Sequence, residues 1–292
     1  MASLLVQVRA KMALYAHEKV RGILEGEYGS VFKGRSMDFD DLREYIPGDD
    51  VKDIDWKATA RSGSVRIRRY IAVRKHNILL VVDTGRNMSA VTESGESKKA
   101  AAVLLAGIVG SVAIKHGDFV GLVHGDSTHS AYVPLKTGRT HLEQILQKID
   151  NAITDDAEPS DLATQLEYVA RNLRRKMLVV VISDEFDFDD RTRAAVRRLR
   201  AQHEILWAVV SDADLTATGG MVDVADWRRI PAYLRADRAL QTAYRAAVSQ
   251  QRQQFDASLS RLSIVCERIG REAEAVHQVF RLLERHKSAR RS

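Results

Sequence analysis

Two acidic residues, each at the end of an apolar run of strand length, are the first candidates for a functional site. Asp83 ends the run ILLVVD, Asp184 ends VVVISD, and Ser160 lies between them at the start of a helical pattern. In an open α/β sheet, ligands bind beyond the carboxyl ends of the strands, near the point where the strand order reverses. The pair could hold an ion for a metal-dependent hydrolase, or it could satisfy loop backbone donors, as Asp does at helix starts.

Other chemistry is either absent from the sequence or ambiguous. The chain contains no G-x-x-x-x-G-K-[ST], G-x-G-x-x-G, H-E-x-x-H or G-x-S-x-G motif, which excludes an ordinary P-loop ATPase site within it. His124, Asp126 and His129 lie close together in HGDSTH, where they could bind a transition metal or form a polar hairpin. The acidic run DEFDFDD lacks the glycine and the distal glutamate of a calcium loop, so we expect it to cap the next helix.

Alternating strand and helix patterns supply the elements that would position such a site. The strand candidates are NILLVVD, FVGLVHG, HSAYVPL, MLVVVISD, EILWAVVSD and LSIVCERI, with helical patterns between them. Most are apolar on both faces, which is typical of strands buried in a largely parallel sheet. HSAYVPL contains a proline and is expected at an edge. The order predicts a doubly wound α/β domain over residues 74–292, ending in a long helix over 232–259 and a C-terminal helix.

Residues 1–73 follow a different pattern and are predicted to form a separate extension. Leu4, Leu5, Val8, Met12, Tyr15 and Val20 recur at helical spacing and predict an amphipathic helix. Glycines, a proline and short β-prone pieces follow. We therefore expect an irregular, strand-containing platform packed against the α/β core.

Composition limits the classes of function. The chain has 292 residues and a formal net charge of +6, with acidic and basic residues interspersed. A nucleic-acid binder usually concentrates its positive charge in a patch, so non-specific nucleic-acid binding is kept only as an alternative. The single cysteine, Cys266, excludes a disulfide framework within one chain and is expected to be a buried small residue. With no signal-peptide pattern at the N-terminus, the sequence predicts a cytoplasmic protein.

The strand-ending aspartates resemble the metal-ion-dependent adhesion site of von Willebrand factor A domains. That family uses Asp-x-Ser-x-Ser after the first strand, a Thr from a second loop and an Asp from a later strand. Here the first motif reads DTGRN, so Gly85 and Asn87 replace the serines. The resemblance implies a degenerate site for Mg²⁺, whose candidate ligands are Asp83, Asn87, Ser160 and Asp184. A metal-free arrangement is the alternative, and a third is that the Arg86 guanidinium neutralises the two carboxylates.

A second resemblance lies in residues 34–63, which read GRSMDFDDLREYIPGDDVKDIDWKATARSG. This segment is similar to the bacterial family called domain of unknown function fifty-eight, which carries Asp-Leu-Arg-x-Tyr-x-Pro-Gly-Asp-Asp, Ile-Asp-Trp and Ala-Arg. Below it is called the signature segment. Its turn residues and its opposite charges predict an ion-pair network, with Trp56 as an anchor on the domain surface. The candidate residues for a structural network or a partner contact are Arg43, Tyr45, Asp49, Asp50, Asp55, Trp56 and Arg61.

The family resemblance implies a role with AAA+ ATPases of the MoxR type. We therefore expect a non-enzymatic adaptor that helps such an ATPase in chaperone-like assembly or maturation of client proteins. The alternatives are a metal-dependent hydrolase that uses Asp83 and Asp184, and a non-specific nucleic-acid binder. No cofactor other than Mg²⁺ is implied.

Overall fold

The fold is built around one mixed sheet with helices on both faces. A computed structural model describes residues 3–15, 42–47, 51, 54–68, 75–214, 216, 222–224, 228–229 and 236–289. The strands are β1 (Leu42–Glu44), β2 (Arg66–Arg68), β3 (Asn77–Asp83), β4 (Phe119–Gly125), β5 (Ser130–Lys136), β6 (Leu178–Ser183), β7 (Glu204–Val210), β8 (Val222–Asp223), β9 (Arg228–Arg229) and β10 (Val265–Ile269). The helices are α1 (Leu4–Tyr15), α2 (Trp56–Ser62), α3 (Lys98–Lys115), α4 (Arg139–Ala152), α5 (Leu162–Asn172), α6 (Asp190–Gln202), α7 (Arg238–Arg261) and α8 (Ala275–Ala289).

Six strands form the central sheet in the order β10-β7-β6-β3-β4-β5. Every neighbouring pair is parallel except β4 and β5, which form an antiparallel hairpin at the edge. The chain adds strands on one side of β3 first and then on the other, so the strand order reverses between β3 and β6. This confirms the predicted doubly wound, largely parallel α/β sheet, with the proline-containing strand at its edge.

Apolar side chains fill the space on both faces of the sheet. One core cluster lies between the sheet and α1, α3, α4 and α8, and the other lies under α5, α6 and α7. The side chains of β3 and β6 are buried at every position, as expected for strands covered on both sides. Among the described helices, none has the length and apolar character needed to cross a membrane.

The first helix belongs to this core. Leu5, Val8 and Met12 of α1 are buried in the cluster that includes α3 and α4. Val8 packs so closely on Gly107 that a Cβ atom there would lie 2.7 Å from a Val8 methyl carbon. Glu143 accepts hydrogen bonds from the backbone N–H groups of Leu4 and Leu5 at 3.0 and 2.8 Å, which caps the start of the helix. The domain boundary at residues 73 and 74 stays a prediction, but α1 packs on the α/β core.

Several local predictions can be compared directly with the structure. The long helix begins at Arg238, after the N-cap Asp237, and residues 232–235 of its predicted range lie outside the described part. Asp189, in the acidic run, caps α6 by accepting from the Thr192 N–H at 2.7 Å. In HGDSTH, the Asp126 carboxylate accepts from the N–H groups of Thr128 and His129 and so closes the β4–β5 turn.

Candidate functional site

The candidate site lies where the strand order reverses, at the carboxyl ends of β3 and β6. Asp83 and Asp184 are 1% and 2% exposed, so both carboxylates are buried at this end of the sheet. The cluster around these two carboxylates, at the edge formed by the strand ends, is called the sheet-edge site below. An Asp83 oxygen accepts a hydrogen bond from the Gly85 N–H at 2.9 Å, which shapes the loop after β3. Asn87 follows in a 3₁₀ turn, Arg86–Ser89. As predicted, the two strand-ending aspartates lie on either side of the switch point.

The loop that carries Ser160 packs directly on this first loop. A Cβ atom on Gly85 would lie 2.5 Å from both the backbone N and the Cα of Ser160, and 2.6 Å from its Oγ. Two backbone hydrogen bonds hold this loop from either side, from Arg86 N to Glu158 O and from Ser127 N to Pro159 O, each 2.9 Å long. Gly85 has φ −66° and ψ 166°, which any residue adopts. The glycine is therefore required by the close approach of Ser160 and not by its own backbone conformation.

A buried lysine, which the sequence analysis did not single out, completes the site. The side chain of Lys98, in the first turn of α3, is only 2% exposed. Its Nζ lies 3.4 Å from an Asp184 oxygen and contacts an Asp212 oxygen more closely. Asp212 follows β7, and its side chain is 43% exposed. The sequence carried one usable signal, since EILWAVVSD is a third strand followed by an aspartate.

Burial and charge together set the ionisation of this cluster. Burial raises the pKa of Asp83 to about 6, although the hydrogen bond from the Gly85 N–H and the charge of Lys98 favour its ionised form. Burial also raises the pKa of Asp184 to about 7, with Lys98 opposing this and the charges of Asp212 and Asp83 adding to it. Burial lowers the pKa of Lys98, but the carboxylates of Asp184 and Asp212 outweigh it and leave the pKa raised. Lys98 therefore carries a positive charge at neutral pH.

The residues present do not fit a divalent cation. Asn87 Oδ1, Ser160 Oγ and Asp184 Oδ1 are buried without a hydrogen-bond partner, so some polar capacity is left for water. Mg²⁺, however, requires near-octahedral oxygen ligation. Gly85 offers no side-chain oxygen, and the Lys98 ammonium is already paired with Asp184. Across the described residues, no group of three or more His, Cys, Asp or Glu side chains could hold a metal ion.

The structure gives Lys98 the role of pairing with a carboxylate that the sequence analysis had considered for Arg86. The buried Arg86 Nε has no hydrogen-bond partner, whereas the Lys98 ammonium contacts Asp184. The reason lies in the fold. Helix α3 begins beside the ends of β6 and β7, and the Lys98 side chain in its first turn reaches both Asp184 and Asp212.

The described part of the signature segment pairs with the short strand that follows it. Strands β1 and β2 pair antiparallel, with Arg43 opposite Ile67, and α2 lies between them in the chain. Asp55 caps α2 by accepting from the N–H groups of Lys57 and Ala58, both at 3.0 Å. The Tyr45 N–H also donates to Val65 O at 2.9 Å. Asp55 and Tyr45 therefore contribute to the local fold.

The other predicted residues of this segment differ in what the structure says about them. Asp49 and Asp50 lie outside the described residues, and the Arg43 side chain is also outside them, so the predicted ion-pair network stays a prediction. Arg61 is exposed in the last turn of α2. Trp56 is 66% exposed and is therefore not the surface anchor that we expected. Trp56 is the first residue of α2, and most of its side-chain surface is in solvent.

Comparison with known proteins gives the family. The profile described as "Protein of unknown function DUF58" matches residues 41–254, from the signature segment into α7. The chain belongs to this family. Uncharacterised proteins of Mycobacterium bovis and Mycobacterium tuberculosis are 30% identical to it over 202 residues, which is 69% of this chain and 63% of theirs. The match thus spans less than two thirds of the length of these relatives.

Solved structures of low sequence identity are similar to this chain over part of its length. An aerotolerance-related membrane protein from Bacteroides fragilis is 12% identical, covering 72% of this chain and 98% of its own, with a TM-score of 0.45. A von Willebrand factor type A protein from Catenulispora acidiphila is 11% identical, covering 75% and 43%, with a TM-score of 0.42. This DUF58 chain itself has a doubly wound α/β fold, with helices on both faces of its six-stranded sheet.

Proposed function

We propose that this DUF58 protein is a non-enzymatic adaptor that binds an AAA+ ATPase of the MoxR type and assists chaperone-like assembly of client proteins. One observation carries the interaction role. The signature segment exposes Ile46 by 60%, Val51 by 60% and Trp56 by 66%. Large exposed apolar side chains are a feature of interaction sites, here three within one short segment, and Trp is enriched among the residues that dominate binding energy.

The chemistry of the sheet edge supports a role without catalysis. A catalytic carboxylate must reach the proton that it transfers, but Asp83 and Asp184 are 1% and 2% exposed. Lys98 pairs with Asp184, and the pair faces other protein groups. The hydrolase alternative relies on Asp83 and Asp184, and neither carboxylate is accessible to a substrate. The ATPase activity in the proposal belongs to the partner, and the class of partner comes from the family resemblance.

The test is a binding measurement between this protein and a purified MoxR-type ATPase from the same organism, held in ATP and Mg²⁺. Trp56→Ala is the test variant. Val6→Ala is its matched control, because Val6 on α1 is 64% exposed and lies outside the signature segment. We expect Trp56→Ala to raise the Kd by roughly tenfold or more, as loss of an interface tryptophan does, and Val6→Ala to leave it unchanged.

Thermal melts separate recognition from folding. Both substitutions remove an exposed side chain, so both variants should melt close to the wild type. Weaker binding with an unchanged Tm means that Trp56 contacts the partner. If the wild type does not bind the ATPase, or if Trp56→Ala binds as tightly as Val6→Ala, the proposal is wrong in its partner or in its surface.

A further inference from the structure

We propose that Lys98 is the resident cation of the sheet-edge site. Its ammonium group neutralises carboxylates that a divalent ion would neutralise in a metal-dependent A domain, so the site needs no metal. This inference concerns the α/β domain alone and does not depend on the proposed adaptor role.

The position of Lys98 is fixed by the loop before it. The Lys98 N–H donates to Ala90 O at 3.0 Å, and Val91 pairs with Ser97 in an isolated β-bridge. Ser97 then caps α3 by accepting from the Ala100 N–H at 3.3 Å. The start of the helix is therefore held against the loop after β3, and its first side chain is directed at the sheet edge.

A lysine at this place is unfavourable unless it is paired. The first turn of a helix carries partial positive charge, which repels a cation. Burial removes the water that would otherwise solvate the ammonium. Lys98 overcomes both costs through Asp184 at 3.4 Å and a closer contact with Asp212. The structure thus places a buried cation beside two carboxylates that stabilise it.

The partners of Lys98 end adjacent strands of the sheet. Asp83 ends β3, Asp184 follows β6, and Asp212 follows β7, and these strands are neighbours in the order β7-β6-β3. Like charges so close together need a counter-ion, and Lys98 is the cation in contact with two of them. A divalent ion on the same carboxylates would lie beside the ammonium and would be repelled by it. The ammonium and a divalent ion therefore exclude each other. The ammonium is always present, because it is part of the chain.

The first experiment uses the wild-type chain. Mn²⁺ binding is measured by the electron paramagnetic resonance of free Mn²⁺, with EDTA-treated protein at equal concentration. We expect no stoichiometric binding, and the same Tm in EDTA as in millimolar Mg²⁺. Stoichiometric Mn²⁺ binding that disappears in Asp184→Asn would overturn the proposal, since the cation of the site would then be a metal.

The second experiment removes the ammonium. Lys98→Met is compared with Lys99→Met, a matched control whose lysine is 31% exposed and lies 3.5 Å from Asp150. We expect Lys98→Met to lower the Tm by roughly 6 °C or more, because it leaves the buried Asp184 carboxylate without a counter-ion. Lys99→Met should change it by about 2 °C or less.

A double variant distinguishes charge from packing. In Lys98→Met with Asp184→Asn, the carboxylate left without its partner is removed as well, so at least half of the lost Tm should return. If Lys98→Met melts like Lys99→Met, or if the double variant melts lower than Lys98→Met, Lys98 does not neutralise the site. Should Lys98→Met fail to fold, the Mn²⁺ measurement on the wild type still decides the question.

Discussion

Substitution of Gly85 by alanine tests the packing of the two loops that build the sheet-edge site. The new Cβ would lie 2.5 Å from the backbone N and Cα of Ser160, where ordinary contacts lie at 3.4–4 Å. Because the atoms in contact belong to the backbone, no rotation of a side chain relieves the clash. The Ser160 loop has to move by about an ångström.

The expected cost follows from that movement. Overpacking in a closely packed region costs about 1–3 kcal/mol. Displacing the loop also strains the hydrogen bonds that Glu158 O and Pro159 O accept at 2.9 Å, each worth about 1 kcal/mol. Replacing a glycine whose φ is −66° returns about 0.4–1 kcal/mol through the unfolded chain. We expect Gly85→Ala to lower the free energy of unfolding by about 2–3 kcal/mol.

The assay is urea denaturation, with the free energy of unfolding extrapolated to water. Gly270→Ala is the matched control, because its Cβ would meet nothing closer than Glu93 Oε2 at 3.8 Å. It should change the free energy by about 0.5 kcal/mol or less. Adding Ser160→Ala to Gly85→Ala removes only one of the three close contacts, so most of the loss should remain. If Gly85→Ala is as stable as the wild type, the Ser160 loop does not pack on Gly85 and the account of this site is wrong.

Three further outcomes are expected. Burial raises the pKa of Asp83 to about 6 and that of Asp184 to about 7, so between about pH 4 and pH 7 the folded state binds more protons than the unfolded chain. The stability that these groups contribute therefore falls as the pH rises through this range. Asp184→Asn should flatten this part of a plot of Tm against pH. Asp55→Ala should cost about 1 kcal/mol through loss of the α2 cap, with a smaller loss for Asp55→Asn, and equal melting of both would contradict the capping role. Burial raises the pKa of Cys266 to about 12, so iodoacetamide at pH 8 should label it slowly in the folded protein and quickly in urea, and equal rates would contradict this.

Local patterns in the sequence were sufficient for the fold. The apolar runs and the helical spacing between them identified the strands of the central sheet, and Pro134 identified β5 as an edge strand. The rule that ligands bind where the strand order reverses also placed Asp83 and Asp184 on the correct edge. These features follow from backbone periodicity and burial, which are written into consecutive residues.

What the sequence did not reveal depends on residues that are distant in the chain. The role of Lys98 requires α3 to start beside the ends of β6 and β7. The need for a glycine at position 85 is explained only by the close approach of Ser160, in a loop about 75 residues further on. The exposure of Trp56 likewise depends on how α2 is placed by the short strands around it. By itself the sequence determined the elements, the sheet edge and the family signature. Only the tertiary structure decided which charges meet and which side chains remain in solvent, because distance and burial are set by packing between segments and not by local spacing.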